Sequence, residues 1–196
     1  MKKRALQRVR SEARSDAEAM TALARGELSA LGELYDAHHH AVRQFLRRLT
    51  GERDEADDLT HEAFLTAARI AASYDGRESA RPFLIGIAIQ LARRGRQRPR
   101  RWQALIAGVG SWLAPSPRTP EEDAGSNETF ALFEAALLRL SEEKRAVLLL
   151  VEREGFSSEE AAAALDIPVG TVWTRLHHAR AELRRALARK GAVDDG

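Results

Sequence analysis

Thr171, Trp173, Thr174, Arg175, His177, His178 and Arg180 crowd one short stretch of this chain. Hydroxyls and guanidinium groups donate to phosphate oxygens and base edges, and aromatic rings stack or meet a thymine methyl, so the set suits DNA. Between these residues stand Val172, Leu176, Ala179 and Leu183, at steps of four, three and four, which is one buried stripe of a helix. A second helix precedes it. Ser157 is placed to cap that helix while Glu160, three residues on, reaches back to the cap, and a run of alanines then favours helix strongly. Asp166-Ile167-Pro168 breaks the run, and the proline ring presets φ for the next helix. The pattern predicts a helix-turn-helix whose second helix is the recognition helix. On it, Arg175 and His178 lie three apart, and Thr171 and Thr174 continue that side toward the groove. Trp173 and His177 flank the side, suited to the sugar–phosphate edge or a thymine methyl. Arg180, Arg184 and Arg185 lie farther along, where phosphate is the natural target.

A second constellation is acidic. Asp54, Asp57, Asp58 and Glu62 recur at steps of three, one and four, largely on one side of a helix. Like charges that close repel one another, so the face suits a basic partner protein rather than DNA. The run RRGRQRPRR, residues 93–101, is the reverse, a guanidinium cluster fitted to neutralise phosphates.

Other chemistries find no support. His38-His39-His40 invites a metal reading, but consecutive helical residues point about 100° apart and do not converge on one ion, so no metal is expected. No cysteine, G-x-S-x-G or Walker-type loop occurs, so neither an enzyme nor a cofactor is expected. The absence of cysteine also removes any disulfide framework and suits a reducing cytoplasm. MKKRALQRVRSEARSD at the start is basic without an apolar signal core, and no run reaches the roughly 18 apolar residues of a spanning helix. A cytoplasmic protein without membrane insertion is the expectation.

The elements that must position these groups are all helical. The chain has 196 residues, 44% hydrophobic and 31% charged, with a net charge of +2 that conceals separate acidic and basic stretches. After a basic tail (1–14), a first domain spans 15–98. Ser15 caps a short helix ending at Gly26. A second helix from Ser29 to Leu49 carries Leu31, Leu34, Tyr35, Val42, Phe45, Leu46 and Leu49 as a core stripe. A third runs from Asp54 or Glu55 to Ala72, with Leu59, Ala63, Ala67 and Ile70 inside. Ser73 to Gly76 turn, and Pro82 opens a very apolar fourth helix, Phe83 to Arg94. A connector (99–127) contains Pro99, Pro115, Pro117 and Pro120 and an apolar piece, Trp102 to Trp112, read as a docking helix or a packed satellite. The second domain spans 128–190, with a cap at Ser141 and a buried run from Val147 to Val151. A short tail (191–196) follows.

The stretch Leu140 to Arg180, and PVGTVWTRL followed by Ala-Arg above all, resembles region 4 of bacterial sigma factors of the extracytoplasmic-function (ECF) group. LuxR-type regulators share the same helix-turn-helix, so this motif alone also admits a stand-alone DNA-binding regulator. The front half decides between them. DEADDLTHEAFLTAARI, Asp54 to Ile70, resembles ECF region 2.2; Ala22 to Gly51 resembles region 2.1; and Tyr74 to Arg94 resembles regions 2.3 and 2.4.

The resemblance implies an all-α protein of two small domains, sigma regions 2 and 4, that makes RNA polymerase promoter-specific. It implies core polymerase as a partner, through the β′ clamp helices and the β flap, and promoter DNA as the ligand. It also leaves room for an anti-sigma factor. On these terms Asp57, Asp58, Leu59, His61, Glu62 and Phe64 would hold β′; Phe83, Gln90, Arg93 and Arg94 would meet the minus-ten element; and the recognition helix would read the minus-thirty-five element. The chain departs from the family where Phe83 replaces Trp, Gly86 a cation, Ile89-Gln90 an Arg-Asn pair, His61 a Gln, and Trp173 a Lys or Arg. Phe83 retains an aromatic platform and Gln90 a polar edge, whereas Gly86 and Ile89 supply neither.

Overall fold

The computed structural model describes residues 14–97 and 128–194. The amino-terminal tail up to residue 13, the connector with its apolar piece, and residues 195–196 lie outside them. The described elements are helical, and they divide into two compact units: one takes residues up to 47 and 52–91, the other 48–51 and everything from Ala92 onward.

In the first unit, α1 (Asp16–Ala24) starts on a capping box: the Ser15 hydroxyl accepts from the Glu18 amide, and the Glu18 carboxylate accepts from the Ser15 amide at 2.8 Å. Those hydrogen bonds hold the Glu18 carboxyl below its ordinary value. Helix α1 buries Ala19, Met20, Ala22 and Leu23, and Gly26, at φ +91°, turns the chain away. Helix α2 (Ser29–Thr50) buries Leu34, Val42, Phe45, Leu46 and Leu49 as expected, with Leu31 and Tyr35 at the margin. Helix α3 (Arg53–Ile70) opens on Asp54 and Glu55, which favour the positive end of the helix dipole, and buries Ala56, Leu59, Ala63, Phe64 and Ala67. Ile70 departs from expectation, since it is exposed. It is the last residue of the α-helix, at φ −115°, and a 3₁₀ turn, Ala71–Ser73, follows it.

Helix α4 (Arg81–Gln97) buries Leu84, Ile85, Ile87, Ala88 and Ile89 over more than one face, the signature of a helix enclosed by others. A polar tie fixes where it begins. The Asp16 carboxylate accepts from the Ala80 amide and from Nε2 of His38, each at 2.7 Å. A carboxylate only accepts, so that imidazole nitrogen carries its proton. One anion thus serves the N-terminal ends of both α1 and α4.

The second unit holds α5 (Glu128–Leu138), α6 (Glu142–Leu148), α7 (Ser158–Leu165) and α8 (Val169–Asp194). Ser141 occupies the cap position of α6, yet its side chain makes no capping hydrogen bond, contrary to the sequence reading. The apolar run after Val147 is not one α-helix either. Leu149–Arg153 form a π-helical turn, with Leu149 and Leu150 still buried and Val151 only partly so. Gly155, at φ +72°, then reverses the chain toward α7. Helix α8 is the common support, packing on α5, α6 and α7. Its buried stripe is Val172, Leu176 and Ala179, with Leu183 half-buried.

Candidate DNA and polymerase interfaces

The turn before α8 sets what that helix can present. Ser157 and Glu160 close a reciprocal box, with the Ser157 amide donating to Glu160 at 2.9 Å and the Glu160 amide to the Ser157 hydroxyl at 3.1 Å. Asp166 ends α7 in the left-handed region, at φ 52°, a conformation that Asp tolerates better than most residues. The Ile167 amide donates to Ala162, and Pro168 accepts from Thr171 as α8 begins.

With Val172, Leu176 and Ala179 packed inward, the opposite side of α8 is open. Gly170, Trp173, Thr174, His177, His178 and Arg180 are exposed, and Thr171 and Arg175 are half-buried at one margin. Two groups are already engaged. The Thr174 hydroxyl donates to the Gly170 carbonyl at 2.9 Å, and Arg180 pairs with Glu152, its Nε donating at 2.8 Å. Arg184 and Arg185 are exposed farther along. Lys144 of α6 ties down α8 by donating to Glu182 at 2.6 Å, which holds that carboxyl below its ordinary value.

On α3, the six residues of the acidic motif separate into two groups. Leu59 and Phe64 are buried, so they seat the helix. Asp57 pairs with Arg43 of α2 through both carboxylate oxygens. Asp58 is exposed, and His61 and Glu62 are half-exposed. Nε2 of His61 lies 3.2 Å from the Tyr35 hydroxyl, whose ring stacks on His39 at 4.7 Å and meets Phe64 edge-on at 4.9 Å. Burial, and secondly the Asp57 anion, push the Tyr35 hydroxyl above its ordinary value, so it stays protonated and able to donate. Leu65, 46% exposed, lies one turn beyond Glu62 on the same side; its spacing of seven from Asp58 is the signal that sequence reading passed over.

One side of helix α4 is only partly covered. Phe83, Gly86, Gln90 and Arg93 are half-buried and Arg94 is exposed, at steps that keep them on one side, and the Arg93 guanidinium donates to the Leu165 carbonyl. Phe83 packs edge-on against Tyr74 at 5.3 Å. A side chain at Gly86 would enter open space. Ile89 is fully buried, so at this position the chain offers an apolar core contact and no surface group.

Among the described residues no three of His, Asp and Glu converge as metal ligands: His38 is committed to Asp16 and His39 to Tyr35. Nor is any described helix long and apolar enough to cross a membrane.

Two helical units, one ending in a helix-turn-helix and the other carrying an acidic helix beside a largely buried one, are the parts of a sigma-type initiation factor. The comparisons agree. The Sigma-70 region 2 family matches residues 34–103, and the Sigma-70, region 4 family matches residues 130–183. The ECF RNA polymerase sigma factor SigM of Mycobacterium tuberculosis is 30% identical over 178 residues, covering 89% of this chain and 85% of the relative. The ECF sigma factor EcfG of Rhodopseudomonas palustris is 33% identical over 156 residues, 80% of this chain and 84% of its own. Among solved structures, the sigma factor RpoE from Bartonella quintana, crystallised with the anti-sigma factor NepR, shares the fold with a TM-score of 0.58 at 24% identity, over 84% of this chain and 96% of that one. CnrH, solved with the cytosolic domain of CnrY, gives 0.59 at 24% identity, over 89% and 97%.

The chain belongs to the ECF group of RNA polymerase sigma factors. It is a transcription initiation factor that binds core RNA polymerase and directs it to promoters; a stand-alone regulator would have no use for the region 2 half.

Proposed function

We propose a division of labour among the described faces. The first domain, 15–98, docks the β′ clamp helices through Asp58, His61 and Glu62 on α3, with Asp57 held by Arg43 and with Leu59 and Phe64 as the seat. The outward stripe of α4 takes the opened minus-ten strand: Phe83 stacks a base, Gln90 meets an edge, and Arg93 and Arg94 meet phosphates. The second domain, 128–190, docks the β flap, and α8 enters the major groove of the minus-thirty-five element. Polymerase does the chemistry. The chain supplies no catalytic group and takes no cofactor or metal, and it works in the cytoplasm with polymerase. An anti-sigma factor is a further partner that this reading admits, as RpoE was solved with one.

The observation that carries the reading is the open side of α8, where hydroxyl, aromatic, imidazole and guanidinium groups follow a left-handed turn and face away from the core. Initiation by the holoenzyme on single-base variants of the minus-thirty-five element tests it. Arg175→Ala is expected to cost about 1–3 kcal/mol and to relax preference at one or two positions, as a base-edge contact does. Arg184→Ala should weaken all variants alike and shallow the salt dependence by roughly one unit. An even loss with Arg175→Ala would make that residue a phosphate anchor and reverse the orientation proposed for α8.

A further inference from the structure

We infer that Trp173 is a specificity-determining residue for the minus-thirty-five element, reading the C5-methyl group of a thymine. The inference rests on the proposal that α8 enters the major groove. Trp173 is 60% exposed, while the core side of α8 is already supplied by Val172, Leu176 and Ala179. The packing of this unit therefore leaves most of the indole surface open.

Its neighbours define what it can recognise. Gly170, one turn before, has no side chain, and a Cβ there would meet nothing within 4 Å, so a duplex can approach closely. The hydroxyl of Thr174, the next residue, has spent its proton on the Gly170 carbonyl and is left only to accept. Arg180, two turns on along the same edge, is paired with Glu152. Arg180 on that edge is thus engaged, while the His177 imidazole, four residues on, stands exposed on the indole's other flank. Donors and acceptors line the edges of all four base pairs in the major groove, but the thymine methyl is the one apolar feature they present. An indole face covers a methyl group well and gains nothing from a bare cytosine edge. Stacking on the sugar–phosphate edge is the competing role, and it would be blind to sequence.

Replacing single thymines by deoxyuridine removes that methyl and nothing else. The holoenzyme is assayed for initiation on a promoter selected from a genomic library, with each minus-thirty-five thymine replaced in turn. The wild-type chain should lose about fourfold at one position, the worth of one buried methyl group. Trp173→Ala should lose the same amount on the thymine promoter and then be indifferent to deoxyuridine at that position. Trp173→Gln serves in its place should the alanine variant melt early. The inference is overturned if no deoxyuridine affects the wild type, if the selected element holds no thymine, or if the variants still sense the substitution. Scrambling the whole element separates this from the parent proposal: wild-type indifference to scrambling would remove the groove reading itself, whereas sensitivity to scrambling with neutral deoxyuridines would remove only the role of Trp173.

Discussion

Asp57 and Asp58 are adjacent in the chain and differ in what they offer a partner. Asp57 is held by the Arg43 guanidinium, so much of its charge is answered within the unit, while Asp58 is exposed. Removing Asp58 and Glu62 together, as Asp58→Ala with Glu62→Ala, is expected to leave melting unchanged and to weaken core-polymerase binding about tenfold at low salt, chiefly through the association rate. Titration of full-length chain against core polymerase at two salt concentrations checks this, and an unchanged affinity at moderate salt would count against this face. Which of these residues share a helix face was legible from spacing alone. Their engagements were not, because Asp57–Arg43, His38–Asp16 and Tyr35–His61 join different helices, and separations of 14, 22 and 26 residues carry no periodic signal. The burial of Ile89 shows the same limit. Its apolar type was legible, and its place in the core was not.

At the scale of the element, two serines in equivalent sequence contexts behave differently. Ser157 closes a full box with Glu160, whereas Ser141, also followed by acids, makes no side-chain cap. The distinction lies at the third position: Glu160 reaches back to the Ser157 amide, while Lys144 at the matching place after Ser141 is drawn to Glu182 on α8. Ser157→Ala should therefore cost about 1 kcal/mol and lower the melting transition of the second unit by roughly 4–8 °C. Ser141→Ala should stay within about 0.5 kcal/mol. Thermal denaturation of the full chain followed by circular dichroism measures both, and equal shifts would contradict the distinction. The helix-turn-helix was readable because cap, alanine run, breaker and stripe all agree locally. The π-helical turn at Leu149–Arg153 was not, since an apolar run has the same composition whether its turns hold 3.6 residues or more.

At the scale of the whole molecule, the order of the two domains and the length between them matter more than any one contact. A promoter read at minus-ten and minus-thirty-five presents its two elements on one face of the duplex, two helical turns and so ~70 Å apart. Residues 99–127 number 29, and at ~3.3 Å each they reach at most ~95 Å, enough to serve both elements at once. Half that number reaches only ~48 Å, which no conformation of the chain can lengthen. Deleting 14 residues from this stretch should therefore abolish initiation at promoters that need both elements. Affinity for core polymerase should fall far less, because each domain keeps its own docking surface and only their joint engagement is lost. The loss should be geometric rather than chemical, so restoring the length with a Gly/Ser segment of 14 residues should recover most of the initiation. Runoff transcription with the deleted and refilled chains, beside a binding assay with core polymerase, measures the two effects separately. Full initiation by the shortened chain would mean that the two domains do not engage both elements together. Failure of the refilled chain would mean that the side chains of the connector, and not its length, carry the function.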